Sequence, residues 1–172
     1  MTDSATSWIE NEDRGCRDAR IARLEWLATN YPANRHGFLL SGGWLSLQLL
    51  EEARCCFTYG QFLATAVLGV AFVERLLAAK FFAAGRDDLE RAGGQALLRE
   101  GLECGWLTET EFDQFDRVRQ LRHSLIHFRR PLAQGTVERR SVQQEREPEH
   151  VIEEDARGIL AVVFAVLAKE AV

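Results

Sequence analysis

Apolar residues in this chain recur at intervals of three and four, and no stretch shows the strict apolar/polar alternation of a half-buried strand bounded by turns. Residues 1–12 are polar and acidic and read as a flexible tail. Residues 14–29 then set Ile21, Leu24, Trp26 and Leu27 among charges at helical spacing, until Tyr31-Pro32 and a loop through Gly37 stop them. Residues 44–57 and 62–84 form the most apolar part. They predict one long bent helix with its joint near Gly60 and its end at Gly85. Gly93 and Gly94 precede a short helix over residues 95–104, and Gly105-Trp106-Leu107 makes a turn. The next helix starts at Thr108 or Thr110; Glu111 stands three residues after Thr108, the spacing of a capping box. Residues 129–150 are polar and broken by Pro131, Gly135 and Pro148, which predicts a loop. Residues 151–172 close the chain with Ile159, Leu160, Val162, Val163, Phe164, Val166 and Leu167, apolar on most sides, so this helix must be covered nearly all round. The sum is an all-α bundle of about five helices, one domain over residues 13–172 behind the tail.

Composition narrows the function. With 172 residues and 47% hydrophobic content the chain can bury one core. A formal net charge of -5 speaks against a protein that coats polyanions wholesale. Charge is segregated, however. Arg117, Arg119, Arg122, Arg129 and Arg130 fall in one span that holds no acidic residue, so any anion contact is local. Cys16, Cys55, Cys56 and Cys104 are too few and too irregular for a disulfide framework, contain no C-x-x-C pair, and read as reduced, mostly buried thiols. The first residues lack the basic start and apolar centre of a secretory signal, from which a cytoplasmic location is expected. Residues 62–84 are interrupted by Thr65, Glu74, Arg75 and Lys80, and residues 159–168 are far short of the roughly 20 a bilayer requires. Both predict buried helices and no membrane partner.

The chemistry concentrates in Leu121-Arg122-His123-Ser124-Leu125-Ile126-His127-Phe128. A helical wheel over residues 112–130 gathers Arg119, Arg122, His123, Ile126, His127 and Arg130 on one stripe. Val118, Leu121, Leu125 and Phe128 lie nearly opposite. Asp116, His123 and His127 also share a face, which raises metal binding. The glutamate that follows the first histidine of a zinc-protease helix is absent, and three arginines would repel a divalent cation, so no metal or other cofactor is expected. The plain alternative is a solvated face on a core helix.

These residues resemble the motif of the HEPN family, helical bundles whose ribonuclease members carry Arg, a polar residue, three to five others, then His. Here that is Arg122, His123 and His127, with Leu121 before and Phe128 after. The Gly105-Trp106-Leu107 turn, the stretch Glu51-Glu52-Ala53-Arg54-Cys55 through Gly60-Gln61-Phe62-Leu63-Ala64, and Glu74-Arg75-Leu76-Leu77 are similar to the family as well. The resemblance spans residues 50–167. It implies a HEPN-like fold, a homodimer, and a metal-independent endoribonuclease that cleaves RNA by attack of the ribose 2′-OH, in the setting of a toxin or defence effector with a neutralising antitoxin protein. In that chemistry His127 is the acid/base residue and Arg122 the phosphate clamp, while His123 orients the phosphate or shares the proton transfer. Arg119, Arg129 and Arg130 would hold the RNA strand, and Glu74 is a candidate to pair with Arg122. The rival expectation is a non-catalytic HEPN-like bundle binding nucleotide, RNA or a protein partner; a third is a helical scaffold with no ligand.

Overall fold

A computed structural model describes residues 2–33 and 40–170. Among these, seven α-helices and one 3-10 turn occur and no strand: α1 (Thr2–Asn30), α2 (Gly43–Thr58), α3 (Phe62–Ala83), the 3-10 turn Asp87–Leu89, α4 (Gly94–Glu103), α5 (Glu109–Ile126), α6 (Val137–Gln144) and α7 (Pro148–Ala168). The all-α class agrees with the sequence. The helix count is higher than about five, for two local reasons.

The first is that α2 and α3 are two helices folded back on each other, not one bent rod. Gly60 adopts φ +77°, a left-handed conformation that a side chain disfavours. Its N–H bonds to Phe57 O at 3.1 Å and that of Gln61 to Cys56 O at 2.8 Å, the paired bonds that close a helix C-terminus. The chain reverses there, and Arg75 Nε of α3 donates to Gly42 O at 3.3 Å, just before α2 begins. Gly85 and Gly105 end α3 and α4 with the same pair of bonds.

The second reason is α6, which lies inside the stretch expected to be a loop. Thr136 caps it by accepting from Arg139 N at 3.4 Å, and Arg140 grips both oxygens of the buried Asp155 on α7, with Nη1 to Oδ1 at 2.7 Å. An eight-residue helix held by polar contacts carries too few apolar residues to show a period.

α3 is the centre of the core. Phe72, Leu76 and Phe81 are buried there, Phe57 comes from α2, and Ile159, Leu160, Val163 and Leu167 come from α7. Gly69 leaves room for α7: a Cβ at that position would stand 2.8 Å from Ile159 Cγ2, so the Ile159 side chain packs where a side chain on α3 would begin. α3 is also long and apolar enough to cross a bilayer, with half of its most apolar window buried inside the bundle.

Residues 2–12, expected to form a tail, belong to α1, which has no Pro or Gly before Gly15 to interrupt it. Its second half packs: Leu27 is buried, Trp26 meets Phe57 at 5.3 Å between ring centroids, and Arg23 reaches Glu153 of α7 at 3.4 Å. The side chains of residues 4–15 are all exposed. The cysteines also differ from expectation. All four are free thiols, but Cys55 and Cys104 are exposed, Cys16 and Cys56 are half-buried, and none lies in the core.

Candidate functional site

α5 carries the motif, and its start is fixed firmly. The Thr108 hydroxyl accepts from Glu111 N at 3.3 Å while the Glu111 carboxylate accepts from Thr108 N at 2.8 Å, the expected capping box. Lys169 pairs with the same carboxylate and ties the end of α7 to this cap. Burial then fades along the helix. Phe115 and Val118 are in the core, Leu121, Arg122 and Leu125 are half-buried, and Ile126 is exposed.

This gradient places Arg122 differently from the wheel. Four residues after Val118 and seven after Phe115, it continues the inner stripe of α5 rather than the outer polar one. Its Nε is shielded from solvent without a hydrogen-bond partner. No hydrogen bond or ion pair to Arg122 occurs among the described residues. Glu74, the expected partner, makes no ion pair with it. The Glu74 carboxylate lies against Gly94 instead, close enough that a Cβ there would stand 2.1 Å from Oε1. That position is the N-terminus of α4, where the helix dipole favours an anion.

His127 ends α5. Its backbone is extended, at φ -103° and ψ 132°, and its N–H bonds to His123 O at 3.2 Å. A helix continued through Pro131 would drive the proline ring into the His127 carbonyl four residues earlier, so the chain must leave the helix before Pro131, and it does so at His127. The wheel therefore fails beyond Ile126. Phe128, expected on the apolar face, is 91% exposed, and Arg129 and Arg130 are exposed beside it.

The two histidines are brought together: their ring centroids lie 4.2 Å apart with the planes at 44°. His123 is held below the usual imidazole range, first by partial desolvation and then by the positive charge of His127, Arg129, Arg119 and Arg122. An open groove of about 470 Å³ runs past it, lined by Arg117, Arg119, His123, Ser124, Arg129 and Gln134 among others, with no carboxylate in its wall. Gln134 comes from the loop after α5, and nothing in its sequence context marks it. Arg119 is less available than expected, because Nε and Nη2 both donate to Asp116 Oδ1 at 2.9 and 2.7 Å. Arg129 and Arg130 have no ion-pair partner among the described residues.

No family model, no curated protein and no solved structure matches the chain. The chemistry of the site must be judged from its own groups. Among the described residues no three side chains are grouped to hold a metal ion, and Asp116, weighed as a ligand, is turned to Arg119 and Gln120. What remains is a cationic surface around two imidazoles. It can attract an anion with a flexible backbone, neutralise charge on its oxygens through an unpaired guanidinium, and pass protons through imidazole nitrogens.

Proposed function

We propose that the chain is a metal-independent endoribonuclease of the HEPN kind. The observation that carries this reading is the contact of His123 with His127 at the open end of α5, on the helix that also bears the unpaired Arg122. RNA brings its own nucleophile, so the protein needs to move two protons and stabilise one build-up of charge. His123, whose proton affinity is lowered by its surroundings, takes the proton of the ribose 2′-OH as that oxygen bonds to the adjacent phosphorus. His127 gives a proton to the 5′-oxygen as its bond to phosphorus breaks. The products are a 2′,3′-cyclic phosphate and a 5′-hydroxyl.

Arg122 sets its guanidinium against the phosphoryl oxygens, and its partner-free state keeps that charge available. Arg129 in the groove wall and the exposed Arg130 beyond it draw the strand in, with Arg119 contributing less because Asp116 already holds it. Phe128 offers a bare aromatic face on which a base can stack. In a homodimer two such helix ends face one strand. A cytoplasmic toxin or defence effector, checked by a neutralising protein, is the setting that suits such an activity.

The test incubates purified protein with mixed RNAs in excess chelator. Cleavage that leaves 2′,3′-cyclic phosphate ends, lost in Arg122→Ala and in His127→Ala, is the expected result. A 2′-deoxy nucleotide at the cut site must block it. RNA binding with no cleavage would replace this reading with the non-catalytic bundle.

A further inference from the structure

The first half of α1 projects as a helix whose residues 4–15 bury no face against the other described residues. Residues 4–15 are exposed throughout, with Trp8 at 66% and Ile9 at 55%. An isolated helix shorter than about 12–15 residues is marginal in water, and a surface helix is normally secured by burying one face. Ala5, Trp8 and Ile9 make such a face at spacings of three and four.

Charge indicates where that face belongs. Residues 1–13 hold four acidic residues and no Lys or Arg. Glu10 and Glu12 form no ion pair among the described residues, whereas Asp13 is taken by Arg20. The end of α5 presents the complement: Ile126, Phe128 and Leu132 are exposed at 43%, 91% and 55%, with the unpaired Arg129 and Arg130 among them. Each surface combines exposed apolar residues with charge of one sign, and the signs are opposite. Within one chain the two surfaces stay apart, since Trp8 and Phe128 both remain exposed. α1 runs unbroken to Asn30, and its second half is fixed to α2 and α7 through Trp26 and Arg23.

We infer that the acidic arm of one copy, residues 4–13, docks on the α5 end of a second copy, with Trp8 and Ile9 against Phe128 and its apolar neighbours and Glu10 and Glu12 against Arg129 and Arg130. The pairing is reciprocal, so two arms join two copies and cover both basic sites. A polyanion must displace the arm to enter. This arm-joined pair is a resting association distinct from the strand-bound homodimer of the proposed function; it does not rest on RNA cleavage, and its test contains no RNA.

The test is a charge swap in the full-length chain, read by sedimentation velocity. The parent self-associates at about 0.05 M salt and weakens toward about 0.5 M, where the screening length has fallen several-fold. Glu10→Lys with Glu12→Lys in one chain, and Arg129→Glu with Arg130→Glu in another, each raise the dissociation constant about tenfold or more. An equimolar mixture of the two variants restores the dimer, because each arm then meets a site of opposite charge. All four positions are exposed; circular dichroism verifies parent-like helix content, and the milder Glu10→Gln with Glu12→Gln gives an intermediate loss. A parent that stays monomeric, a dimer indifferent to both swaps, or a mixture that fails to reassociate overturns the pairing.

Discussion

His123 and His127 stand one helical turn apart, with ring centroids separated by 4.2 Å, and only His123 is still inside the helix. The contact has an electrostatic consequence. Desolvation and the surrounding positive charge hold His123 below the ordinary imidazole value of 6.5. Its proton NMR titration is expected to have a midpoint below that value, and His127→Ala or Arg129→Gln should each move it upward. Folding linkage has a definite sign here. A histidine whose folded value is depressed binds fewer protons in the native state, so its contribution to stability is complete above about pH 6.5 and is lost as the pH falls through the folded value. Cleavage that uses His123 as base should rise through the same midpoint. A midpoint at or above 6.5 would remove the assigned base.

Substitution at Arg122 is a test that separates the proposed function from stability. Its Nε is buried and unsatisfied, so the guanidinium is held at a cost to the fold. Arg122→Met keeps most of the volume and removes the unpaired donor. Thermal unfolding of this variant should match the parent or rise by about 2–4 °C, while RNA cleavage falls about 10²- to 10³-fold. A loss of stability in step with activity would make Arg122 a packing residue only.

Arg119 and Arg129 line the same groove with different freedom, since Asp116 holds the first and nothing among the described residues holds the second. On single-stranded RNA each phosphate contact contributes about 0.7 to the slope of log affinity against log salt. Arg129→Gln should reduce that slope by about this amount, whereas Arg119→Gln should change it little. Filter-binding or fluorescence titrations over a salt series decide the point. Equal slopes for the two variants would mean that the Asp116 pair opens on binding.

What the sequence disclosed depended on the kind of signal each element carries. α7 and α3 were plain because their apolar residues recur over many turns, and the capping box at Thr108 was plain because two side chains at fixed spacing suffice to make it. The α2–α3 reversal was misjudged as a bend, although Gly60 marked the place; a left-handed residue changes direction by more than composition can indicate. α6 was missed because Arg140 and Asp155 hold it from 15 residues apart, a pairing with no local period. At the site the residue types and their nearness in sequence were legible. The facing of Arg122 was not, since a wheel registers polarity, and here an arginine occupies the inner stripe where the core runs out. The pairing of Arg119 with Asp116 was open to view at a spacing of three, one of the two spacings at which side chains meet along a helix.

The Arg140–Asp155 pair gives the sharpest test of how the segment after the site is held. Asp155 is nearly fully buried, Arg140 is mostly so, and Arg140 Nε has no partner. Removing one member of such a pair strands the other charge, whereas removing both exchanges a desolvated ion pair for apolar contact. Arg140→Met should therefore cost about 3 kcal/mol or more in urea unfolding, and Arg140→Met with Asp155→Leu should recover most of that loss. Hydrogen exchange should quicken across Val137–Gln144 in the single variant, because its main tie to α7 is cut. The same variant leaves the His123–His127 contact untouched, so cleavage measured well below its unfolding temperature should stay within about twofold of the parent, a margin of about 0.4 kcal/mol in barrier height. A single variant as stable as the parent would show that the pair contributes nothing to the docking of α6, and a large loss of activity in the still-folded protein would draw α6 into the site itself.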